Sequence, residues 1–141
     1  MPTNTSLENL FHLVHALKQQ MHRHIEELGL NITAMHIRTI SIINEKGSCT
    51  ASEVASFLQR DKAQITRLLN ALIKDDLITK ENNPDDKRSQ CLRLTEKGLH
   101  LLKQIKGIEK TIFKMMSNGM SEETLEGFQQ VTKQLTRNLT G

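Results

Sequence analysis

Asp61 to Gly98 reads D-K-A-Q-I-T-R-L-L-N-A-L-I-K-D-D-L-I-T-K-E-N-N-P-D-D-K-R-S-Q-C-L-R-L-T-E-K-G, and this stretch decides the fold. Ile65, Leu68, Leu69, Leu72 and Ile73 recur at helical spacing and line one face, while Lys62, Gln64, Arg67, Asn70, Ala71 and Lys74 occupy the rest of the surface. Asp61 stands where a helix cap is needed. Leu77 to Asn82 and Gln90 to Leu94 then read as two short strands around N-P-D-D-K-R-S, a loop whose Asn, Pro and Asp favour turning. On the second strand Leu92 and Leu94 share one face, leaving Cys91 and Arg93 on the other. A helix with long polar side chains at its start, followed by a hairpin with a charged tip, suits a chain that sets one helix in a DNA groove and an arginine beside it.

Upstream, T-A-S-E from Thr50 forms a capping box that opens a short helix burying Ala51, Val54, Ala55 and Leu58. Only a tight turn at Arg60 and Asp61 separates it from the helix beyond, which is the helix-turn-helix pattern. A further helix from about Thr33 to Asn44 carries Met35, Ile37, Ile40, Ile42 and Ile43 and is stopped by Gly47. Residues 33–98 therefore form a winged helix-turn-helix core.

Long apolar stripes lie on either side of that core. The first helix is predicted from a capping box near Thr5 to Gly29, with Leu7, Leu10, Phe11, Val14, Leu17, Met21, Ile25 and Leu28 along one face for about 36 Å. Thr95 opens a fifth helix whose stripe is Leu99, Leu102, Ile105, Ile108, Ile112 and Met115 or Met116. Ser121 caps a last helix carrying Leu125, Phe128, Val131 or Thr132, Leu135 and Leu139. A module of this size offers these stripes no partner of its own, so two copies are expected to pack them together as a homodimer. The expected architecture is mainly α with a small β-hairpin wing, one domain over 1–141, with 5–28 and 99–141 as dimerisation helices.

Composition agrees with a helical core and bounds the chemistry. Apolar residues make up 37% of the 141 and aromatics 3%, with no Trp or Tyr, so Leu, Ile, Met and Val must fill the interior. The formal charge of +3 and a pI of about 9.0 are compatible with nucleic acid without arguing for it strongly. Cys49 and Cys91 have no metal-binding spacing and do not make a disulfide framework, which favours a reducing compartment. No apolar run is long enough for a membrane span and the first residues lack the pattern of a signal peptide, so a cytoplasmic location is expected. There is no nucleophile motif, P-loop, catalytic carboxylate pair or metal-ligand spacing, hence no enzyme and no cofactor.

Ile65-Thr66-Arg67-Leu68, Leu77-Ile78, the wing Asn83-Pro84-Asp85-Asp86-Lys87-Arg88-Ser89 and Leu92-Arg93-Leu94-Thr95-Glu96-Lys97-Gly98 together resemble the MarR (multiple antibiotic resistance regulator) family of winged-helix transcription regulators. The resemblance is specific in this region, and the flanking helices match in order and length. It implies an obligate homodimer on a pseudopalindromic operator in double-stranded DNA, with the fourth helix in a major groove and the wing near a minor groove. Repression released by a small molecule, a metal or an oxidant is implied too. One departure is Asp75-Asp76, where the family usually turns on a glycine.

Arg88 is the leading DNA contact, since a wing-tip arginine suits a narrow minor groove, and Asp86 is placed to hold its guanidinium. Lys87 is read as a phosphate contact, as are Lys62, Thr66, Thr50 and Ser52. Arg67 and Gln64 are the candidates for base edges, although Gln64 equally suits the third helical position of a capping box with Asp61. His12, His15 and His22 raise metal sensing, and Cys49 ahead of a helix raises redox sensing, against the plainer roles of surface and packing. Met21, Met35, Met115 and Met116 suit either a core or an adaptable effector pocket, and no effector-binding residue is assigned. A winged-helix protein-interaction module without DNA binding is the alternative reading.

Overall fold

The computed structural model describes residues 2–141. Six helices and three strands follow in the order α1 (Pro2–Glu26), α2 (Ala34–Lys46), β1 (Cys49–Thr50), α3 (Ala51–Leu58), α4 (Lys62–Lys74), β2 (Ile78–Asn82), β3 (Gln90–Leu94), α5 (Glu96–Met116) and α6 (Glu122–Thr140). Side-chain oxygens open five of the helices. Thr33, Thr50, Asp61, Thr95 and Ser121 each accept a hydrogen bond from the backbone N–H three residues on, a contribution of about 1 kcal/mol apiece. The capping box expected at Thr5 does not start α1: the helix is already under way from Pro2, a residue whose fixed φ and missing N–H suit a first turn.

The wing is larger than a hairpin. β2 and β3 pair antiparallel from Ile78 opposite Leu94 to Asn82 opposite Gln90, and β1 joins the other edge of β3, with Cys49 opposite Leu92 and Thr50 opposite Cys91. Ile78 and Leu92 press one face of this sheet into the core, among Ile40 and Ile43 of α2, Val54 of α3, Ile65, Leu69 and Leu72 of α4, and Leu101, Leu102 and Ile105 of α5. Thr39 is fully buried there, its hydroxyl donating to the Met35 carbonyl at 2.8 Å.

α5 keeps the expected stripe at Leu102, Ile105, Ile108 and Ile112 but departs from it at the start, where Leu99 is 43% exposed and Leu101 is buried. Gly98 accounts for this local rotation. It faces the Leu77 carbonyl so closely that an added Cβ would collide with the oxygen, and the face through Gly98, Leu101, Leu102 and Ile105 therefore turns inward.

Only the C-terminal end of α1 joins the core, through Ile25 with Met21 and Leu28 beside it. Further up the helix Leu7, Leu10, Phe11, Val14 and Leu17 are exposed, as are Phe113, Met115 and Met116 at the end of α5. α6 buries no residue at all within the chain.

Candidate nucleic-acid interface

α4 is positioned by its caps and its buried face. Asp61 Oδ1 accepts from the Gln64 N–H at 2.8 Å, but the reciprocal bond from Gln64 is not formed, so only half of a capping box exists and the Gln64 side chain is exposed. At the exit, Asp76 adopts the left-handed conformation with φ 60°, one of the few non-glycine residue types that does so at modest cost. The exit turn is then tied to α5. Thr95 Oγ1 donates to the Asp76 carbonyl at 2.6 Å, Lys97 Nζ to the Asp75 carbonyl at 2.9 Å, and the Thr95 N–H to the Leu77 carbonyl at 3.1 Å.

The wing tip is held by its own polar side chains. Asn83 Oδ1 accepts from the Asp85 N–H at 3.0 Å and Asn83 Nδ2 donates to Ser89 Oγ at 2.9 Å. Asp86 was expected to hold the Arg88 guanidinium; instead its Oδ1 accepts from the Arg88 backbone N–H at 2.9 Å. A short Asp side chain reaches the main chain two residues on more readily than a long, freely rotating guanidinium. Among the described residues no carboxylate lies within ion-pair distance of Arg88, leaving its charge available.

Thr50, Ser52, Lys62, Thr66 and Arg88 surround one depression of about 230 Å³ where the starts of α3 and α4 meet the wing. Asn70, Lys80, Ser89 and Gln90 share its wall, over a floor that includes Leu69 and Leu92. Lys62, Lys80 and Arg88 contribute positive charge and no carboxylate lines it, so the depression attracts anions. Strand alternation carried the signal for the missed Lys80 and Gln90: both lie on the Leu92 face of the sheet.

Two of its hydroxyls already have work. Thr50 Oγ1 accepts from the Glu53 N–H and donates to Glu53 Oε1, both at 3.2 Å, and Thr66 Oγ1 donates to the Lys62 carbonyl at 2.8 Å. The Ser52 hydroxyl has no protein partner among the described residues and is the readier donor.

Gln64 and Arg67 are not part of this cluster. They line a separate depression of about 270 Å³ with Met35, Arg60, Ile65 and Leu68. Lys87 is exposed near the wing tip.

The remaining candidates have ordinary surroundings. Cys49 is 1% exposed, and its thiol is pushed up to about 11, first by burial and then by the Glu53 carboxylate and the neighbouring Cys91, against Lys46. Burial and the raised pKa favour packing over redox sensing at Cys49, because the thiolate is the reactive form. Cys49 is expected to resist iodoacetamide in the native protein at pH 7.5 and to react after denaturation; rapid native labelling, mapped by peptide mass, would contradict this burial. His22 pairs with Glu26 at 3.0 Å and His24 Nδ1 lies 2.8 Å from the Gln20 carbonyl. Among the described residues no three His, Cys, Asp or Glu side chains are grouped so as to hold a metal ion. The methionines do not converge either: Met35 lies beside Gln64, and Met116 lies in an apolar depression with Leu13, Phe113, Met120, Leu125 and Phe128.

The MarR family's sequence profile matches residues 32–90, from the turn before α2 to the first residue of β3. Over that segment this chain resembles the MarR family. Its members are DNA-binding transcription regulators and not enzymes. Among curated relatives, the transcriptional repressor IacR of Pseudomonas putida is 23% identical over 121 residues, 86% of this chain and 71% of that protein. The transcriptional regulator BilQ of Clostridioides difficile is 34% identical over 97 residues, 69% of this chain and 61% of that protein. Among solved structures, a mutant MarR from E. coli complexed with operator DNA aligns with a TM-score of 0.73 at 21% identity, covering 92% of this chain and 93% of that one. The likeness to MarR itself extends well beyond the matched segment and takes in the flanking helices of the fold.

Proposed function

We propose that this chain is a cytoplasmic, homodimeric repressor of the MarR family that reads a pseudopalindromic operator, one domain over 1–141 in each subunit. α4 enters the major groove, carrying Arg67 and Gln64 to base edges, and the wing sets Arg88 against the minor groove with Lys87 on phosphate. Thr50, Ser52, Lys62 and Thr66 hold the backbone between them. The observation that carries this reading is the carboxylate-free depression in which the starts of α3 and α4 and the wing converge. A small-molecule effector modulates binding, with no residue assigned to it.

The dimer is supported by the apolar faces that one chain leaves open. Phe11 is 67% exposed, Val131 56% and Leu135 52%, a concentration that a monomer in water rarely presents. Packing α1, the end of α5 and α6 of two copies would fix two reading heads for half-sites about one helical turn apart.

Sedimentation with a duplex selected from a genomic library tests both parts together. Two chains per duplex are expected, with log K against log salt falling at a slope steeper than about −4. Binding that ignores salt, or a single chain at micromolar concentration, would count against the proposal. Failure of every genomic duplex would favour the protein-interaction alternative.

A further inference from the structure

The first turn of α2 is capped in an unusual way. The Thr33 N–H donates to His36 Nδ1 at 3.0 Å while the His36 N–H donates to Thr33 Oγ1 at 3.3 Å. The reciprocal partner in such a box is ordinarily Glu or Gln, whose oxygen accepts throughout the neutral range. An imidazole accepts only through an unprotonated nitrogen, so this box requires a neutral ring with its hydrogen on Nε2. In the imidazolium both nitrogens are donors, and the Thr33 N–H then faces another donor. The helix start adds its own penalty, because its unpaired N–H groups disfavour a cation.

The surroundings connect this box to the DNA-reading helix. Met35, the next residue back, lines a depression with Gln64, Ile65, Arg67 and Leu68 of α4. Burial pulls the His36 pKa below its usual value, and the Asp75 carboxylate at the end of α4 opposes that shift. Arg60 and Arg67 line the same depression as Met35, Lys97 of α5 is tied to the Asp75 carbonyl, and Arg38 on α2 itself is exposed. A proton on His36 therefore removes the α2 cap and creates a new attraction toward the exit turn of α4.

We propose that His36 is a positioning residue for α4, holding the start of α2 in place while neutral and weakening DNA binding when protonated. The DNA part rests on the function proposed above; the capping part does not. Because the folded ring binds a proton less readily than the unfolded one, its stabilisation is complete above about pH 6.5 and is lost as pH falls through the lower folded value. The sign is diagnostic. Acidification normally adds positive charge and favours DNA, and no histidine lies on α3, α4 or the wing: His12, His15, His22 and His24 are on α1 and His100 is on α5.

The test compares the full-length wild type with His36→Gln, which keeps the acceptor without titrating, and His36→Ala, which removes it. Thermal unfolding is followed at pH 7.5 and 5.0 at one protein concentration, and titration of the library-selected duplex at one ionic strength. At pH 7.5 wild type and His36→Gln should melt together, with His36→Ala lower by roughly 2 to 6 °C. At pH 5.0 wild type should fall by a similar interval below His36→Gln and lose about threefold to tenfold more DNA affinity than it. Equal acid losses in wild type and His36→Gln would assign them to groups other than His36, the histidines of α1 and α5 among them, and overturn the proposal. A melting difference with parallel DNA affinities would leave His36 a cap without a positioning role, which also overturns it. If no variant binds any duplex at either pH, the DNA-binding reading fails, and the positioning role with it, while the melting comparison still decides the cap.

Discussion

Gly98→Ala is expected to destabilise the chain by about 2 to 4 kcal/mol, a drop on the order of 10 °C in melting temperature. The added Cβ meets the Leu77 carbonyl oxygen, and the next nearest atom, the Leu77 carbonyl carbon, is 3.2 Å away. Both are backbone atoms and cannot swing aside as a side chain would. Helix propensity favours alanine by less than about 1 kcal/mol at such a site, so the collision wins. Moving α5 away would also strain the bonds from Thr95 and Lys97 to the exit of α4. Gly107→Ala is the internal control: it lies in the same helix with nothing within 4 Å of the new carbon, and should stabilise by up to about 1 kcal/mol. Urea unfolding reads both. Equal stability of Gly98→Ala and wild type would show that α5 does not seat on Leu77 in this way.

Arg88→Ala should weaken operator binding by about tenfold to a hundredfold and flatten the salt dependence by about two units per dimer. The wing tip is already rigid, because Asn83, Asp86 and Ser89 satisfy its backbone and one another. Removing the guanidinium thus deletes a contact without unravelling the loop that presents it. Lys80→Ala should weaken all duplexes alike and by less, about threefold to tenfold, as a phosphate contact does. Anisotropy titrations at several salt concentrations separate these outcomes. Unchanged affinity and slope in Arg88→Ala would remove the wing from the DNA-binding surface.

The helix faces and caps of the central module were legible because spacing and capping are local. Thr50, Asp61, Thr95 and Ser121 do in the structure what their place before apolar repeats implies. β1 was not legible: two residues show no alternation, and their pairing depends on β3, some forty residues away. Leu99 and Leu101 were exchanged for a related reason, since the local rotation at the start of α5 is set by its tertiary contact at Leu77. In the site, residue type suggested the cations but not their company. Spacing along α4 alone does not reveal that Lys62 and Thr66 look toward the wing while Gln64 and Arg67 look toward Met35. The target of Asp86 is a choice between two nearby donors, which only the loop's path resolves.

Thr50 illustrates how few residues can serve some positions. It ends β1, opposite Cys91, and its hydroxyl opens α3 one residue later. A strand favours a branched β-carbon and a cap requires a side-chain oxygen. Serine supplies only the oxygen and valine only the branching; threonine alone combines them. The wing and the helix-turn-helix are consequently joined through a single residue's two chemical features. Bending the sheet edge would pull on the helix cap, so the two parts of the reading head are mechanically one piece.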